Sequence, residues 1–339
     1  MHQYDLYGIG AALLDTEIEV SDRDLETLGV EKGVMSLVDD TRQRQLVDDL
    51  TDHLVAASRA CGGSGANTVI AASYFGLRTF YSCKVASDDN GDFYLANLDA
   101  AGVGYPRVLE SADGGTTGKC LVLITPDAER SMNTFLGISE RLSVAEVDST
   151  ALAASRWAYI EGYLVSSDTG RAAAIALREQ AEAAGVKTAL SLSDPAMVHL
   201  FRDGLGTMIG GGVDLLFCNR DEALGFTGTD SVESAALALR EHCRSFAITL
   251  GAEGALLWDG GQQYRVSSPK VHAVDTNGAG DMFAGAFLYG LNRDMPFAEA
   301  GELACRAAAR VVSQYGPRLR PEQHGELLNA ECGMRNAEY

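Results

Sequence analysis

Leu215-Leu216-Phe217-Cys218-Asn219-Arg220-Asp221-Glu222 is a short apolar run that ends in an amide and two acids. Four apolar residues bounded by polar ones read as a strand buried on both faces, followed by a helix start with acids in its first turn. The same beat recurs: residues 157–161, 187–192, 214–218 and 246–250 are strand candidates at roughly thirty-residue intervals, the length of a strand–helix–strand unit. Between them, residues 171–184 and 232–243 carry helical patterning; in the second, Val232, Ala236, Leu239 and Cys243 fall on one stripe. Such alternation predicts an α/β fold with a mostly parallel central sheet covered by helices on both faces. Ligands in sheets of that kind bind beyond the carboxyl ends of the strands. The polar residues that follow each strand are therefore the first candidates for a site.

Asn219 and Glu222 stand at such an end. An amide and a carboxylate there could hold a hydrated Mg²⁺ through water, because that ion takes oxygen ligands and keeps much of its hydration. The same pair reads as a helix cap with acids in the first turn. Residues 249–254, Thr-Leu-Gly-Ala-Glu-Gly, close the next strand, and Thr249, Gly251 and Gly254 suit a loop beside a nucleotide.

Upstream, residues 6–14 form an apolar run broken by Gly8 and Gly10, expected as one buried strand ending at Asp15. Asp15 is then either a solvated strand end or a ligand for substrate hydroxyls. Residues 43–60 read as a helix with Leu46, Leu50, Leu54 and Ala57 on one face. Next come Gly62, Gly63 and Asn67, before a helix-like run at 68–74. The glycines permit close approach of a ligand to the backbone and Asn67 offers both a donor and an acceptor; the alternative is a flexible helix-to-helix turn. Residues 16–44 are irregular, with short strand candidates around Val20, Val30 and 34–38. Residues 119–125 and 131–136 are strands separated by a turn at 126–129, and Arg130 closes that turn. The chain is expected to divide into a large α/β body (1–15, 45–104 and 146–339) and a small β-sheet lid (16–44 and 105–145).

Asp275-Thr276-Asn277-Gly278-Ala279-Gly280-Asp281 then precedes a helical run in which Phe283, Ala286, Phe287 and Gly290 share a face. Glycines let consecutive N–H groups converge, and a helix N-terminus adds unpaired N–H groups and partial positive charge. This makes a place for an anion with a carboxylate beside it. Asp281 reads either as the helix N-cap or as a base next to a bound phosphate.

Composition narrows the function. Net charge is −20, from 47 acidic and 27 basic residues, which argues against nucleic-acid partners and against adhesion to anionic membranes. The first residues lack the pattern of a signal peptide, and no apolar run approaches a membrane span. Seven cysteines (61, 83, 120, 218, 243, 305 and 332) are scattered without zinc or disulfide spacing, which predicts reduced thiols and a cytoplasmic protein. A nicotinamide oxidoreductase would need a full glycine fingerprint, and Gly8-Ile9-Gly10 lacks its third glycine. A non-catalytic binding protein would have no use for Asp281.

Taken together, Gly62-Gly63 with Asn67, Asn219 with Glu222, and 275–281 resemble the ribokinase/adenosine kinase (PfkB) family of small-molecule kinases, over nearly the whole chain. The resemblance implies a ribokinase-like fold and phosphoryl transfer from ATP to a hydroxymethyl group. Asp281 would be the general base, and the N–H groups of Gly278, Ala279 and Gly280 would hold the charge of the transferred group. Asp15, Gly62, Gly63 and Asn67 would orient the acceptor's hydroxyls, Glu222 with Asn219 would organise Mg²⁺, and Thr249, Gly251 and Gly254 would lie near the nucleotide. The lid would bring Arg130 toward the phosphates. Family members often need K⁺ near the anion hole, which the resemblance places at the carbonyls around Asp275. The opening motif and residues 129–134 look most like bacterial adenosine kinases. Those commonly carry Asn after the second glycine of the opening motif, where this chain has Ala11, so a ribokinase- or fructokinase-type sugar kinase is the alternative. An exposed lid edge would allow either a monomer or a lid-mediated homodimer.

Overall fold

The computed structural model describes residues 2–51, 58–106 and 114–335. Its strands are β1 (Tyr4–Ile9), β2 (Leu13–Glu19), β3 (Met35–Leu37), β4 (Ser58–Gly62), β5 (Thr79–Ser82), β6 (Val103–Gly104), β7 (Gly118–Ile124), β8 (Arg130–Phe135), β9 (Ser155–Glu161), β10 (Lys187–Ser191), β11 (Val213–Asn219), β12 (Cys243–Thr249), β13 (Ala255–Trp258) and β14 (Gln263–Val266). Nine of them form one sheet in the order β14-β13-β12-β11-β10-β9-β1-β5-β6. Its neighbours from β12 to β6 pair parallel, and the β12-β13-β14 end is antiparallel.

Parallel strands must be covered on both faces, which is why they read as continuous apolar runs. Tyr159, Leu215 and Phe217 point to one side, against the helices Ser64–Tyr74, Ala279–Asn292 and Phe297–Val312. Tyr7, Ile160 and Leu216 point to the other, against the helices Asp168–Ala184, Pro195–Ile209, Arg220–Thr227 and Val232–Leu239. The α/β expectation is borne out.

The second sheet has five strands in the order β3-β8-β7-β2-β4. Side chains alternate across it with period two. Leu121 and Leu123 of β7, with Ile18 of β2, pack under Leu25, Leu28, Leu46 and Leu50 of the flanking segments. Cys120, Val122 and Ile124 face the opposite way with Leu13, Met132 and Leu136. That inner face looks toward the large sheet.

Several boundaries differ from expectation. The run 6–14 is two strands in two sheets: β1 ends at Ile9, and the chain crosses at Gly10-Ala11-Ala12 into β2. Asp15 is therefore inside β2 and not at the end of the first strand. The helix expected over 43–60 is Asp40–Asp49, and β4 occupies Ser58–Gly62 as an edge of the small sheet. Leu54 and Ala57 lie outside the described residues, as do 107–113 of the expected lid and the side chain of Cys332. Val20 and Val30 flank the helix Asp22–Leu28 instead of forming strands. The stripe through Cys243 breaks at Leu239, and Cys243 opens β12. The six described cysteines are all buried and free of disulfides.

Candidate functional site

Because β1, β9, β10, β11 and β12 are parallel, Ala11, Glu161, Ser191, Asn219 and Thr249 gather along one rim of the large sheet. They line a cavity of about 780 Å³ that the inner face of the small sheet closes on the other side. One end holds Asp15, Gly63, Ser64, Asn67, Glu161 and Asp281; the other holds Asn219, Glu222, Thr249, Gly251 and Gly254.

The helix Ala279–Asn292 enters between them. Phe283 and Phe287 stack with centroids 5.8 Å apart, and Phe217 of β11 meets Phe287 edge-on at 5.8 Å. Such ring pairs each add about 0.5–1.5 kcal/mol beyond the area they bury. They fix the helix on the sheet and so fix its first turn. The cap position is Gly278, with φ 74°, and no side chain caps the helix. A Cβ at Gly278 would stand 2.1 Å from the Pro317 carbonyl oxygen, so glycine is required both for space and for the left-handed backbone. Asp281 is the third residue of the helix. It is not the N-cap, which corrects that reading; Gly278, Ala279 and Gly280 line the cavity, and the Ala279 N–H donates to the Thr276 carbonyl at 3.3 Å.

Asp281 is oriented from a distant segment. Ser64 Oγ donates to Oδ1 at 2.6 Å and Asn67 Nδ2 donates to Oδ2 at 3.1 Å. Both donors sit on the helix Ser64–Tyr74, which packs closely on the Asp281 helix: a Cβ at Gly285 would lie 2.8 Å from Ala71 Cβ. Burial raises the Asp281 carboxyl above the usual range; the Ser64 and Asn67 bonds, then Arg130 and Arg318, pull it back. Asn67 Oδ1 is buried without a partner, an acceptor free for an incoming hydroxyl.

Asp15 is buried, and burial, reinforced by the neighbouring Glu17, pushes its carboxyl up to about 8 against the pull of Arg318 and Arg130. Gly62 lies beneath it and does not line the cavity: a Cβ there would be 2.0 Å from Asp15 Cγ. Glu161 is the residue that sequence reasoning missed. Its Oε2 accepts from the N–H groups of Ala11 (3.1 Å) and Gly65 (3.0 Å), and burial lifts it to about 8. Ser64 and Arg318 were missed as well. The rule that directs attention to polar residues at parallel strand ends would have found Glu161, the last residue of β9.

At the other end, Asn219 and Glu222 form a reciprocal cap. Asn219 Oδ1 accepts from the Glu222 N–H at 2.9 Å, Glu222 Oε2 from the Asn219 N–H at 2.9 Å, and Glu222 Oε1 from Asn219 Nδ2 at 2.7 Å. The capping interpretation thus describes the local geometry, while Glu222 also lines the cavity and burial raises it to about 8. Among the described residues no cluster of three His, Cys, Asp or Glu side chains suits a metal. Two oxygen-bearing side chains, each carboxylate oxygen already accepting one bond, fit a hydrated Mg²⁺ held through water better than a caged one. Arg130 Nη1 donates to the Thr276 carbonyl at 3.1 Å, on the loop before Gly278. Asp275 faces away from the cavity: its Oδ1 accepts from the Asn277 N–H at 2.8 Å and its Oδ2 from the Gly316 N–H at 3.0 Å.

Known proteins share this arrangement of chain. An adenosine kinase from Schizophyllum commune is 27% identical over 345 residues, covering 94% of this chain and 98% of that protein. The crystal structure of a "probable sugar kinase protein" from Rhizobium etli CFN 42 superposes with a TM-score of 0.91 at 31% identity, covering 98% of this chain and 99% of that one. The crystal structure of adenosine kinase from Sinorhizobium meliloti superposes with a TM-score of 0.88 at 34% identity, covering 94% and 96%. The pattern of the pfkB family carbohydrate kinases matches residues 34–323. The chain belongs to the pfkB family of carbohydrate kinases, phosphotransferases that act on an alcohol group of a sugar or nucleoside with ATP as cosubstrate.

Proposed function

We propose that this kinase phosphorylates the hydroxymethyl group of a nucleoside, with adenosine the foremost substrate. The observation that carries the reading is the Asp281 carboxylate in the first turn of a helix without a side-chain cap, gripped by Ser64 and Asn67 at one end of the cavity. The raised affinity of Asp281 for a proton suits a general base. It takes the proton of the acceptor hydroxyl as that oxygen forms its bond to the γ-phosphorus. The bridging oxygen leaves with ADP, and the N–H groups of Gly278, Ala279 and Gly280 face the charge on the transferred group. Asp15, Glu161 and the unpartnered Asn67 Oδ1 hold the acceptor's remaining hydroxyls. Thr249, Gly251 and Gly254 flank the nucleotide, and Arg130, already over the loop, meets its phosphates.

Mg²⁺ bound through water at Asn219 and Glu222 would supply charge neutralisation at the phosphates. A K⁺ ion would be held by carbonyls around Asp275 and not by its carboxylate, whose two oxygens accept from backbone N–H groups. The acceptor end supports a nucleoside over a bare sugar because the small sheet presents Leu13, Met35, Cys120, Val122, Met132 and Leu136 to the cavity. Those groups suit the faces of a base and have nothing to offer sugar hydroxyls. We place the enzyme in the cytoplasm, as a monomer or a dimer through the small sheet, with neither nucleic acid nor membrane as partner. No described helix is long and apolar enough to cross a membrane.

ADP release measured by coupled assay with adenosine, inosine, guanosine, ribose, fructose and 2-keto-3-deoxygluconate tests the reading. Highest kcat/KM with adenosine is expected. A clear preference for a free sugar would overturn the nucleoside assignment in favour of the sugar-kinase alternative.

A further inference from the structure

Three hydrogen bonds cross from the small sheet to the loop that opens the Asp281 helix. Asn277 Nδ2 donates to Glu17 Oε1 at 3.1 Å, Arg130 Nη1 donates to the Thr276 carbonyl at 3.1 Å, and Thr276 Oγ1 donates to the Ala128 carbonyl at 3.2 Å. Their small-sheet partners lie on β2, at the start of β8, and in the turn between β7 and β8. Glu17 and Asn277 are each 7% exposed, so their bond is made out of water, where it is electrostatically stronger. The Asn277 N–H is held as well, by Asp275 Oδ1. Ala128 adopts φ 65°, a left-handed conformation that a residue with a Cβ keeps only where its surroundings impose it. Its carbonyl is the one that receives Thr276.

The register gives these contacts a meaning. Glu17 follows Asp15 by two residues on β2, so alternation puts both carboxyls on the same inner face. Asn277 directly precedes Gly278, where the phosphoryl-binding loop begins. One short strand therefore carries both the carboxyl that meets the acceptor and the carboxyl that holds the loop.

We propose that Glu17 and Asn277 are positioning residues that couple acceptor binding at Asp15 to the shape of the phosphoryl-binding loop, and so keep ATP from water until an acceptor is seated. The inference rests on the phosphotransfer reading above. Acceptor hydroxyls on Asp15 fix β2 and, with it, Glu17; Glu17 fixes Asn277 and the N–H groups after it. Without the tie, the base and the acceptor's ligands remain, but the small sheet and the loop can part. Water then replaces the acceptor: its oxygen forms the bond to the γ-phosphorus, the bridging oxygen leaves with ADP, and its proton passes to Asp281.

The test measures ADP and phosphorylated adenosine side by side for wild type, Glu17→Ala, Asn277→Ala, the double variant and Glu17→Gln. Each alanine variant is expected to raise the ratio of ADP to phosphorylated product at least about fivefold, with the double falling well short of the product of the two singles because the bond they share can be lost only once. Glu17→Gln keeps an acceptor oxygen for Asn277 and should stay within about twofold of wild type. Falls in kcat with an unchanged ratio, or additive losses in the double variant, would overturn the proposal. Amide exchange over residues 275–280 supplies a second readout: adenosine should slow it in wild type and not in Glu17→Ala. Equal slowing in both overturns the tie. If Glu17→Ala does not fold, Asn277→Ala carries both measurements. A wild type that phosphorylates no acceptor would instead defeat the phosphotransfer reading, and the exchange comparison would still decide the tie.

Discussion

At the end of the cavity proposed for the nucleotide, the polar groups are set by their neighbours in sequence. Asn219 and Glu222 are three residues apart and cap one helix by mutual hydrogen bonds. At the acceptor end Asp281 is held by Ser64, 217 residues away, and by Asn67, 214 away, while Glu161 reaches Ala11 across 150. The first arrangement forms wherever the strand–helix unit forms. The second exists only after both sheets and two helices have packed. The acceptor end also concentrates the buried acids Asp15, Glu161 and Asp281, with Arg130 and Arg318 set against Asp15 and Asp281, so it is electrostatically costly to build. The comparison teaches that binding of nucleotide should survive changes that ruin the acceptor end.

The largest break should come from Asp281→Asn. Loss of the base is expected to lower kcat by about 10²–10⁴-fold, while ATP affinity by calorimetry stays near wild type. Near-normal kcat would remove Asp281 from the chemistry. Next, Asp15→Asn should weaken the acceptor's KM on the order of tenfold or more, because a buried carboxyl is replaced by an amide that presents different donors and acceptors to the acceptor's hydroxyls.

The same variant sharpens the electrostatic half of the contrast. Folded Asp15 holds its proton up to about 8, whereas in the unfolded chain it releases it near about 4. Between those values the folded state binds the extra proton, so its contribution to stability is present at low pH and is lost as pH rises through 8. Thermal unfolding of the unliganded enzyme should therefore show a shallower decline from pH 5 to about 8 in Asp15→Asn than in wild type. A steeper decline would reverse the sign of the argument.

Arg130→Ala should follow, with a loss of roughly tenfold in kcat from the removed charge over the phosphates and the loop; unchanged activity would assign Arg130 to the Thr276 contact alone. The smallest effect is expected at the locally built end. Glu222→Gln leaves one of the cap's two acceptor oxygens and turns the other into a donor facing Asn219, so the unfolding temperature should fall only slightly, and the Mg²⁺ concentration for half-maximal rate should rise several-fold. A drop in stability without that shift would make Glu222 a cap and nothing else.

The same division decides what could be read from the sequence. The βαβ rhythm after residue 156 was legible because buried parallel strands and the helices between them are written in short, local patterns. The Asn219 and Asp281 segments were legible for the same reason. The split of 6–14 into β1 and β2 was not, because Leu13 and Leu14 continue the apolar run and nothing local says that they belong to another sheet. The helix at 43–60 was read too long because Leu46 and Leu50 pack on the small sheet, and the pattern alone does not reveal where that sheet recruits β4. Glu161 and Ser64 escaped because their roles depend on partners far along the chain. Gly62 was placed in contact with the acceptor, whereas its work is to leave room for Asp15.

The three-residue crossing between the sheets has a mechanical consequence. Ala11, at its middle, is tethered through its N–H to Glu161 at the floor of the cavity, so a swing of the small sheet has its pivot beside the reacting groups. Asp15 lies four residues from that pivot. Leu37 sits on β3, three strands beyond β2 or about 14 Å at ordinary strand spacing, and is 46% exposed at the rim. The register sets Leu37 level with Asp15 across β7 and β8, so both lie about four residues' rise beyond the crossing and Leu37 is farther only by the width of the sheet. A rotation about the crossing that opened the mouth at Leu37 would therefore move Asp15 as well, by a comparable distance.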